Sequence, residues 1–296
     1  DNFFKIMPDF ETRVQFKNSE SLTLRYDMQN QFTDITKLAQ GLVLNNFSNI
    51  QFGEPELQNA LSHNLSLVYS SFNLFNYTNV FARLAYSKNI DQIRNITSFE
   101  NVISTNTFFN SNFADESATA FGRIQRTFGK LIASVNLSFN YSKINQSIDS
   151  RRSVNTGFTR SYTPRLRTNF KKAPNISLKY KYTVSINNQG PNETTFYTSA
   201  PSIDFDAYIW KSVTLKTDYT YTNQSLRGGN SDNFQTWNAS ISYRKNRDTK
   251  WEFEVVATNL LDIDSKVSNT ATNLFVSESR IFIQPRFITF RLRYEL

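Results

Sequence analysis

Few residues of this chain are of the types that carry out chemistry. Its 296 residues include one histidine, His63, and no cysteine. The lack of cysteine excludes disulfides and thiolate metal sites. A histidine serves as a general base or metal ligand when a carboxylate or further ligands hold it, and no nucleophile pattern accompanies His63. We therefore expect a structural role for His63 at the start of a strand.

Acidic pairs are the remaining candidates for a site. Asp204 and Asp206 fall on one strand face, and Asp262 and Asp264 fall in one loop. Such pairs could bind calcium, but their spacing is not that of a known calcium loop. We therefore expect these carboxylates to be solvated, or to line the wall of a water-filled lumen if the strands form a barrel. The glycines at 228–229 indicate a turn, because no Lys-Ser or Lys-Thr follows them as a phosphate loop requires. The sequence predicts no catalytic residue, no metal site, no cofactor and no enzyme.

The composition favours a protein that is apolar on one side only. Apolar residues make up 39 % and aromatic residues 15 % of the chain, whereas it has 8 Gly and 7 Pro. A soluble domain with so few aliphatic residues would struggle to offset its chain entropy. No run of about 18 apolar residues occurs, which excludes a transmembrane helix. The net charge of +8 is dispersed along the chain, so we expect no nucleic-acid partner.

Apolar and polar residues alternate along the whole chain, as in the run from Leu131 to Tyr141. Successive side chains of a strand point to opposite faces, so each run has one apolar and one polar face. The runs have about 9–14 residues, which suits a tilted membrane strand, whereas soluble strands usually have about 5–6. We predict thirteen strands, at 10–17, 21–29, 61–71, 79–95, 113–127, 131–143, 157–170, 175–187, 195–209, 212–223, 233–244, 251–261 and 280–296.

The connections between these strands appear in two sizes. Short ones fall at 17–21, 128–130, 171–174, 210–212 and 245–250. Long polar ones fall at 31–59, 96–111, 145–156 and 262–276. Outer-membrane barrels have short periplasmic turns and longer external loops. Trp210, Tyr243 and Trp251 lie beside short turns, as a periplasmic aromatic girdle requires.

The alternation also assigns residues to the two faces of the sheet. We predict that nine apolar residues face lipid, namely Val135, Leu137, Phe139, Leu178, Tyr180, Leu215, Ile241, Phe290 and Leu292. Eleven cations fall on the opposite face, namely Arg13, Arg25, Arg83, Arg165, Arg167, Lys179, Lys181, Lys216, Arg244, Arg291 and Arg293. These cations could tune what passes through a lumen, hold carboxylates of a plug, or pair with acidic residues of neighbouring strands.

Residues 53–57, Gly-Glu-Pro-Glu-Leu, lead into Ser-His-Asn-Leu at 62–65, and residues 257–262 read Ala-Thr-Asn-Leu-Leu-Asp. Together with the C-terminal strand, these segments resemble the barrel portion of TonB-dependent outer-membrane receptors, especially those of the Bacteroidetes type. The last segment, 287–296, resembles the assembly signal that the barrel-insertion machinery reads, with Leu in place of the frequent final Phe. The residues that carry this signal are Phe290, Leu292, Tyr294 and Leu296.

The resemblance implies a receptor that imports a bulky nutrient through a barrel of about 22 strands with a plugged lumen. Residues 1–296 would form an all-β, antiparallel transmembrane sheet of about thirteen strands within that barrel, without the plug domain. The implied partners are outer-membrane lipid, a missing N-terminal plug and barrel part or a completing chain, and TonB through that part. A surface lipoprotein is a further candidate. The alternative is a barrel subunit that scaffolds an outer-membrane assembly and transports nothing.

The strand count predicts that the chain does not close a barrel alone. Single-chain outer-membrane barrels of bacteria have even strand counts, whereas this count is odd. Closure would place the strand at 10–17 parallel to the strand at 280–296. Left open, both strands would expose unpaired backbone groups to hydrocarbon. We therefore expect another part of the polypeptide, or a second chain, to pair with these edges.

Overall fold

The alternating runs form strands, and the protein is built almost entirely from them. The computed structural model describes residues 6–100, 103–111, 113–148, 151–171, 174–190, 192–210, 212–229, 231–246, 248–271 and 276–295. The strands are β1 Asp9–Lys17, β2 Glu20–Gln31, β3 Leu42–Asn46, β4 Asn49–Phe52, β5 Ala60–Asn73, β6 Thr78–Ile90, β7 Ile93–Glu100, β8 Ile103–Asn110, β9 Asp115–Phe128, β10 Leu131–Ile148, β11 Arg151–Thr168, β12 Asn175–Gln189, β13 Asn192–Ile209, β14 Val213–Leu226, β15 Ser231–Tyr243, β16 Trp251–Thr258, β17 Ser265–Ala271, β18 Val276–Phe282 and β19 Phe287–Tyr294. A single helical turn, α1, covers Ile35–Leu38. None of the described helical segments is long and apolar enough to cross a lipid bilayer.

Thirteen of these strands form one large antiparallel sheet, as predicted. Each pairs with its neighbour in the order β1, β2, β5, β6, β9, β10, β11, β12, β13, β14, β15, β16 and β19. Strand β9, which has little apolar bulk at Ala118, Ala120 and Gly122, pairs along its length with both β6 and β10. The last strand starts late, because Pro285 falls between β18 and β19 and proline cannot donate to a ladder.

The pairing register confirms the predicted division into two faces. Leu137 lies opposite Tyr162, Leu178 opposite Ile203, and Leu215 opposite Ile241. Followed from strand to strand, this register puts all nine residues predicted to face lipid on one face. Seven of them expose more than a third of their surface, and Phe139 and Leu215 are half-buried.

Two of the predicted long loops are more ordered than expected. The connection at 31–59 contains the β3–β4 hairpin, and residues 91–114 contain the β7–β8 hairpin. The predicted strand at 79–95 is divided, because Asp91 adopts a positive φ of 55°. The hairpins join each other and the sheet through two short parallel pairings, β4 with β8 and β7 with β10. Because these two pairings are parallel, the sheet together with its hairpins is not antiparallel throughout, which corrects the prediction from the sequence. The local sequence pattern does not predict them, because they join residues that are far apart in the chain.

Other connections also depart from the prediction. Strand β10 continues to Ile148 and strand β11 begins at Arg151. The long loop expected at 145–156 is therefore mostly strand. The connection at 262–276 contains strand β17, which pairs with β18 in a separate two-stranded sheet. Loop length thus distinguishes the two ends of the sheet less strictly than the sequence indicated. We call the end with the turns at 129–130 and 210–212 the turn end, and the opposite end the loop end.

The first and last strands of the large sheet have one partner each among the described residues. Strand β1 pairs with β2, and β19 pairs with β16. Within the described ranges no backbone pairing joins β1 to β19. Both strands are exposed along almost their whole length on both faces. Within the described residues the sheet accordingly has two open edges, as expected from its odd strand count.

Candidate functional site

The polar face of the sheet carries the cations that the sequence singled out. Ten of the eleven lie in strands, and the register places them on the face opposite the apolar one. Five cations form ion pairs, namely Arg25, Arg165, Arg244, Arg291 and Arg293. Among the described residues, six show no ion pair, namely Arg13, Arg83, Arg167, Lys179, Lys181 and Lys216. The pairing alternative therefore accounts for about half of the set.

Neutralised charges concentrate beside the C-terminal edge. Six residues form what we call the C-terminal ladder, namely Arg244, Glu252, Glu254, Arg291, Arg293 and Glu295. Glu254 lies 3.5 Å from Arg291 and 3.0 Å from Arg293. Arg244 donates to Glu295 at 2.6 Å. This hydrogen bond, followed by the attraction of the Arg244 charge, holds the pKa of Glu295 below its ordinary value.

Among the described residues, positive charges that mostly lack an ion-pair partner concentrate on the middle strands of the same face. We call Arg123, Arg165, Arg167 and Lys179 the central basic cluster. Arg165 lies directly opposite Lys179, and Ser134 lies opposite Arg165. Like charges in this cross-strand position repel each other. The arginines line a small polar recess of about 160 Å³ together with polar side chains of β9 and β10.

The cluster has few internal partners. Arg165 lies 3.6 Å from Asp204 and donates to Ser177 at 2.9 Å. Arg123 donates to the neutral side chain of Gln125 at 2.7 Å. In the part of the chain that the structure describes, Arg123, Arg167 and Lys179 form no ion pair with a carboxylate. A recess lined by excess positive charge attracts an anionic group, so the arrangement can bind a carboxylate or a phosphate.

The acidic pairs lie where the sequence placed them. Asp204 and Asp206 share the polar face, where Asp204 stands opposite Asp218 and Asp206 opposite Lys216. Asn238 donates to Asp218 at 2.9 Å. No group of three metal-binding side chains occurs within the described residues. These carboxylates line the polar face, next to the central basic cluster.

The second acidic pair and the glycine pair lie in connections. Arg286 lies 3.7 Å from the carboxylate of Asp262, which adopts a positive φ of 57°. The backbone carbonyl of Asp264 accepts from Ile283 at 2.8 Å. Gly228 has a φ of 73° and lies in the turn between β14 and β15.

His63 lies in β5 on the apolar face, opposite Met28 of β2 and Lys88 of β6. Its Nδ1 atom is 2.8 Å from the hydroxyl of Tyr26. The register puts Tyr26, Tyr86 and Tyr141 on this face, all towards the loop end. This geometry agrees with the structural role expected for His63.

The external hairpin β7–β8 is attached to the sheet by a buried charge. Arg94 of β7 forms an ion pair with Asp115, the first residue of β9. Asp115 also accepts the backbone N–H of Asn145 at 2.8 Å. Burial lowers the pKa of Arg94 below its ordinary value, but an arginine keeps its charge all the same.

Among the described side chains of β9 and β11, sequence reasoning missed three arginines. Arg123 belongs to the polar face, while Arg126 and Arg160 lie on the apolar face, opposite Ala133 and Phe139. The signal for β9 is weak because its apolar face begins with small residues. Ile124 and Phe128, which share the face of Arg126, could have revealed it.

The predicted assembly signal lies on the exposed last strand. Phe290, Leu292 and Tyr294 are exposed by 79 %, 59 % and 47 %. The ring of Tyr294 lies 4.6 Å from that of Trp251, beside the short turn that precedes β16. Leu296 lies outside the described residues. Recognition of this strand by the insertion machinery stays a prediction.

The comparisons with known proteins give one likeness of fold. No protein-family model and no curated protein matches the chain. Among solved structures, the chain is similar to OmpT, an outer membrane protein of Vibrio cholerae that was folded in vitro. The alignment covers 97 % of this chain and 95 % of that chain, with 8 % sequence identity and a TM-score of 0.38.

The sheet itself carries the argument for a membrane location. Apolar and polar side chains alternate along its thirteen strands. Large apolar side chains such as Leu178, Ile241 and Phe290 are exposed on one face. Soluble monomers rarely expose an apolar patch of this extent. Long antiparallel strands that are apolar on one face and polar on the other are typical of outer-membrane barrels. The protein therefore belongs to the bacterial outer membrane and has the strand architecture of the β-barrel proteins found there.

Proposed function

We propose that this chain is the barrel part of a TonB-dependent receptor that imports a bulky nutrient through a plugged lumen. The observation that carries the proposal is the central basic cluster. The C-terminal ladder shows that this polar face can neutralise its own arginines, yet Arg123, Arg167 and Lys179 have no carboxylate partner among the described residues. A plug domain with acidic side chains, or an anionic ligand, would supply the negative charge that is missing beside these three cations.

The open edges support the same proposal. Backbone N–H and C=O groups facing hydrocarbon each cost several kcal/mol, so β1 and β19 need further strands beside them. A barrel of about 22 strands accommodates this sheet together with the additional strands. The resemblance of residues 53–65 and 257–262 to such receptors points the same way.

The lack of native cysteine makes a direct test possible. Arg167→Cys places the only thiol of this chain in the central basic cluster. A membrane-impermeant maleimide is added to cells that make the complete gene product, with and without a functional TonB. We expect faster labelling when TonB is active, because plug movement exposes the wall behind it. Equal labelling rates in the two strains would contradict import driven by TonB.

A control variant monitors access to the cell surface. Phe47→Cys lies at the tip of the β3–β4 hairpin, where Phe47 is 94 % exposed. Its labelling should be fast and independent of TonB. Should Phe47→Cys also respond to TonB, the difference at position 167 would reflect expression or cell integrity, and the proposal would lose its support.

A non-transporting scaffold subunit is the second candidate, and one observation favours it. The external β3–β4 hairpin presents Leu42, Leu44 and Phe47 to solvent, with exposures above 60 %. Exposed apolar patches of this kind mark protein contacts, and a surface lipoprotein is the partner we propose there. A scaffold predicts that this contact survives loss of TonB and that position 167 labels at the same rate in both strains.

A further inference from the structure

The apolar face is interrupted by a groove in its turn-end half. The groove has a volume of about 670 Å³ and is lined mainly by Ile124, Val135, Pro164, Leu166, Leu178 and Pro201. Binding pockets of roughly 300–1,000 Å³ hold drug-sized molecules, so this open depression can seat one acyl chain of a lipid.

The groove has a cause in the sequence. Backbone pairing lapses between β11 and β12 around Pro164, and between β13 and β14 around Pro201, since proline has no N–H to donate. Pro201 lies opposite Tyr180, and Pro164 and Pro201 both line the groove on the apolar face. Ala133 adds another small side chain. The depression is therefore built into the sheet.

A cation stands at the end of this groove. Arg126 lies opposite Ala133 on the apolar face and lines the groove. Its guanidinium carbon is 4.9 Å from the centre of the Phe128 ring. In the described part of the chain, no carboxylate lies within ion-pair distance of Arg126. A charged group on a lipid-facing surface extends to the headgroup level, which Arg126 can reach beside the turn at 129–130.

Further positive charge lies in the neighbouring connections. Lys130 occupies the turn after β9, and Lys171 lies in the connection after β11. These connections adjoin, because the backbone of Asn169 donates to the carbonyl of Lys130 at 2.7 Å. Neither lysine forms an ion pair within the described residues. At the loop end, by contrast, Lys143 on the apolar face lies 3.7 Å from Glu116.

We propose that this groove binds one anionic glycerophospholipid of the periplasmic leaflet. Its acyl chain lies along Ile124, Pro164 and Leu178, and its phosphate lies on Arg126, with Lys130 beside it. The short turns of such sheets lie on the periplasmic side, which places the groove in that leaflet. Apolar contact retains the chain, and the excess cations select the negative headgroup. The site goes beyond transport and holds whether or not the protein imports a ligand.

Native mass spectrometry of the detergent-extracted full-length protein tests the proposal. The probes are phosphatidylglycerol and phosphatidylcholine with identical acyl chains, so that the headgroup charge alone differs. We expect the protein to retain phosphatidylglycerol preferentially. Arg126→Gln should weaken phosphatidylglycerol binding about fivefold, the loss expected for one cation at a lipid surface. It should weaken phosphatidylcholine binding less, because the choline cation offsets the charge of the phosphate. Ala133→Phe should fill the groove and weaken binding of both lipids.

Two control variants change the apolar face elsewhere. Ala120→Phe fills a second depression of about 420 Å³ towards the loop end, and Arg160→Gln removes a second arginine of the apolar face. Both should bind phosphatidylglycerol as the unaltered protein does. Undiminished binding by Arg126→Gln would overturn the proposal, as would equal retention of the two lipids by the unaltered protein. If Ala133→Phe fails to insert, the Arg126→Gln result decides.

Discussion

The C-terminal ladder and the central basic cluster lie on the same polar face, yet they differ in how their charges are neutralised. In the ladder, Arg291 and Arg293 share Glu254, whose side chain is 14 % exposed. In the cluster, one carboxylate, Asp204, stands beside Arg165, while Arg167 has none among the described residues. The alternation that puts a cation on the polar face therefore does not determine whether the sheet itself neutralises it.

The two regions follow different energetic rules. Exposed ion pairs contribute at most about 1 kcal/mol each, but networks with a partly buried member contribute more. The ladder thus stabilises the sheet beside its last strand. The cluster holds like charges across a strand pair, which is unfavourable by up to about 1 kcal/mol per pair. The positive potential that this arrangement creates attracts anionic groups.

The largest expected effect tests the premise that both regions share the polar face. Leu137→Arg places a charge on the lipid side and should lower the free energy of unfolding by about 2–4 kcal/mol near the bilayer midplane. Asn140→Arg, on the polar face of the same strand, should change it little. Urea unfolding in lipid vesicles measures both. Equal losses would mean that the two faces are wrongly assigned.

The next effect concerns the ladder. Glu254→Gln removes the carboxylate that Arg291 and Arg293 share, and leaves two guanidinium groups facing each other. Hydrogen bonds to charged groups contribute about 1.5–3 kcal/mol, and we expect a loss near the lower end because both arginines are half-exposed. Vesicle unfolding gives the value. Glu56→Gln, in an external loop, is the control and should unfold like the unaltered protein.

Much of the fold could be predicted because membrane strands repeat one simple pattern. The run from Leu131 to Tyr141 fixes both the strand and its faces. The partner of each cation depends on the register between strands, so the contact of Arg165 with Asp204 could not be predicted. The β3–β4 and β7–β8 hairpins were missed because non-local pairings stabilise them. Arg126 was missed because small residues obscure the face of β9, although Ile124 identifies it.

A smaller effect compares the two regions directly. Arg167→Gln and Arg293→Gln each remove one arginine from the polar face. Arg167→Gln should leave stability unchanged or raise it by up to about 0.5 kcal/mol, because it relieves repulsion from Arg123 and Arg165 in the shared recess. Arg293→Gln should lower it by up to about 1 kcal/mol, because it breaks pairs with Glu252 and Glu254. If both variants shift the unfolding midpoint in the same direction by the same amount, the cluster is neutralised after all.

The smallest effect is a difference in acid sensitivity. The pKa of Glu295 is lowered in the folded protein by its hydrogen bond from Arg244. A carboxylate whose folded pKa is depressed contributes stability above its unfolded pKa, and this contribution disappears as the pH falls through the folded value. The ladder should therefore weaken below about pH 4–5, where unperturbed carboxylates begin to protonate.

Variants of the two regions separate these contributions. Arg244→Gln removes the hydrogen bond, so the unfolding midpoint of this variant should fall less steeply between neutral and acidic pH than that of the unaltered protein. Arg167→Gln should keep the original pH dependence, since its position has no carboxylate partner among the described residues. Unfolding in vesicles at a series of pH values provides both slopes. A slope that Arg244→Gln leaves unaltered would show that Glu295 contributes nothing to the acid response, and a flattened slope in Arg167→Gln would reveal a carboxylate bound to the cluster.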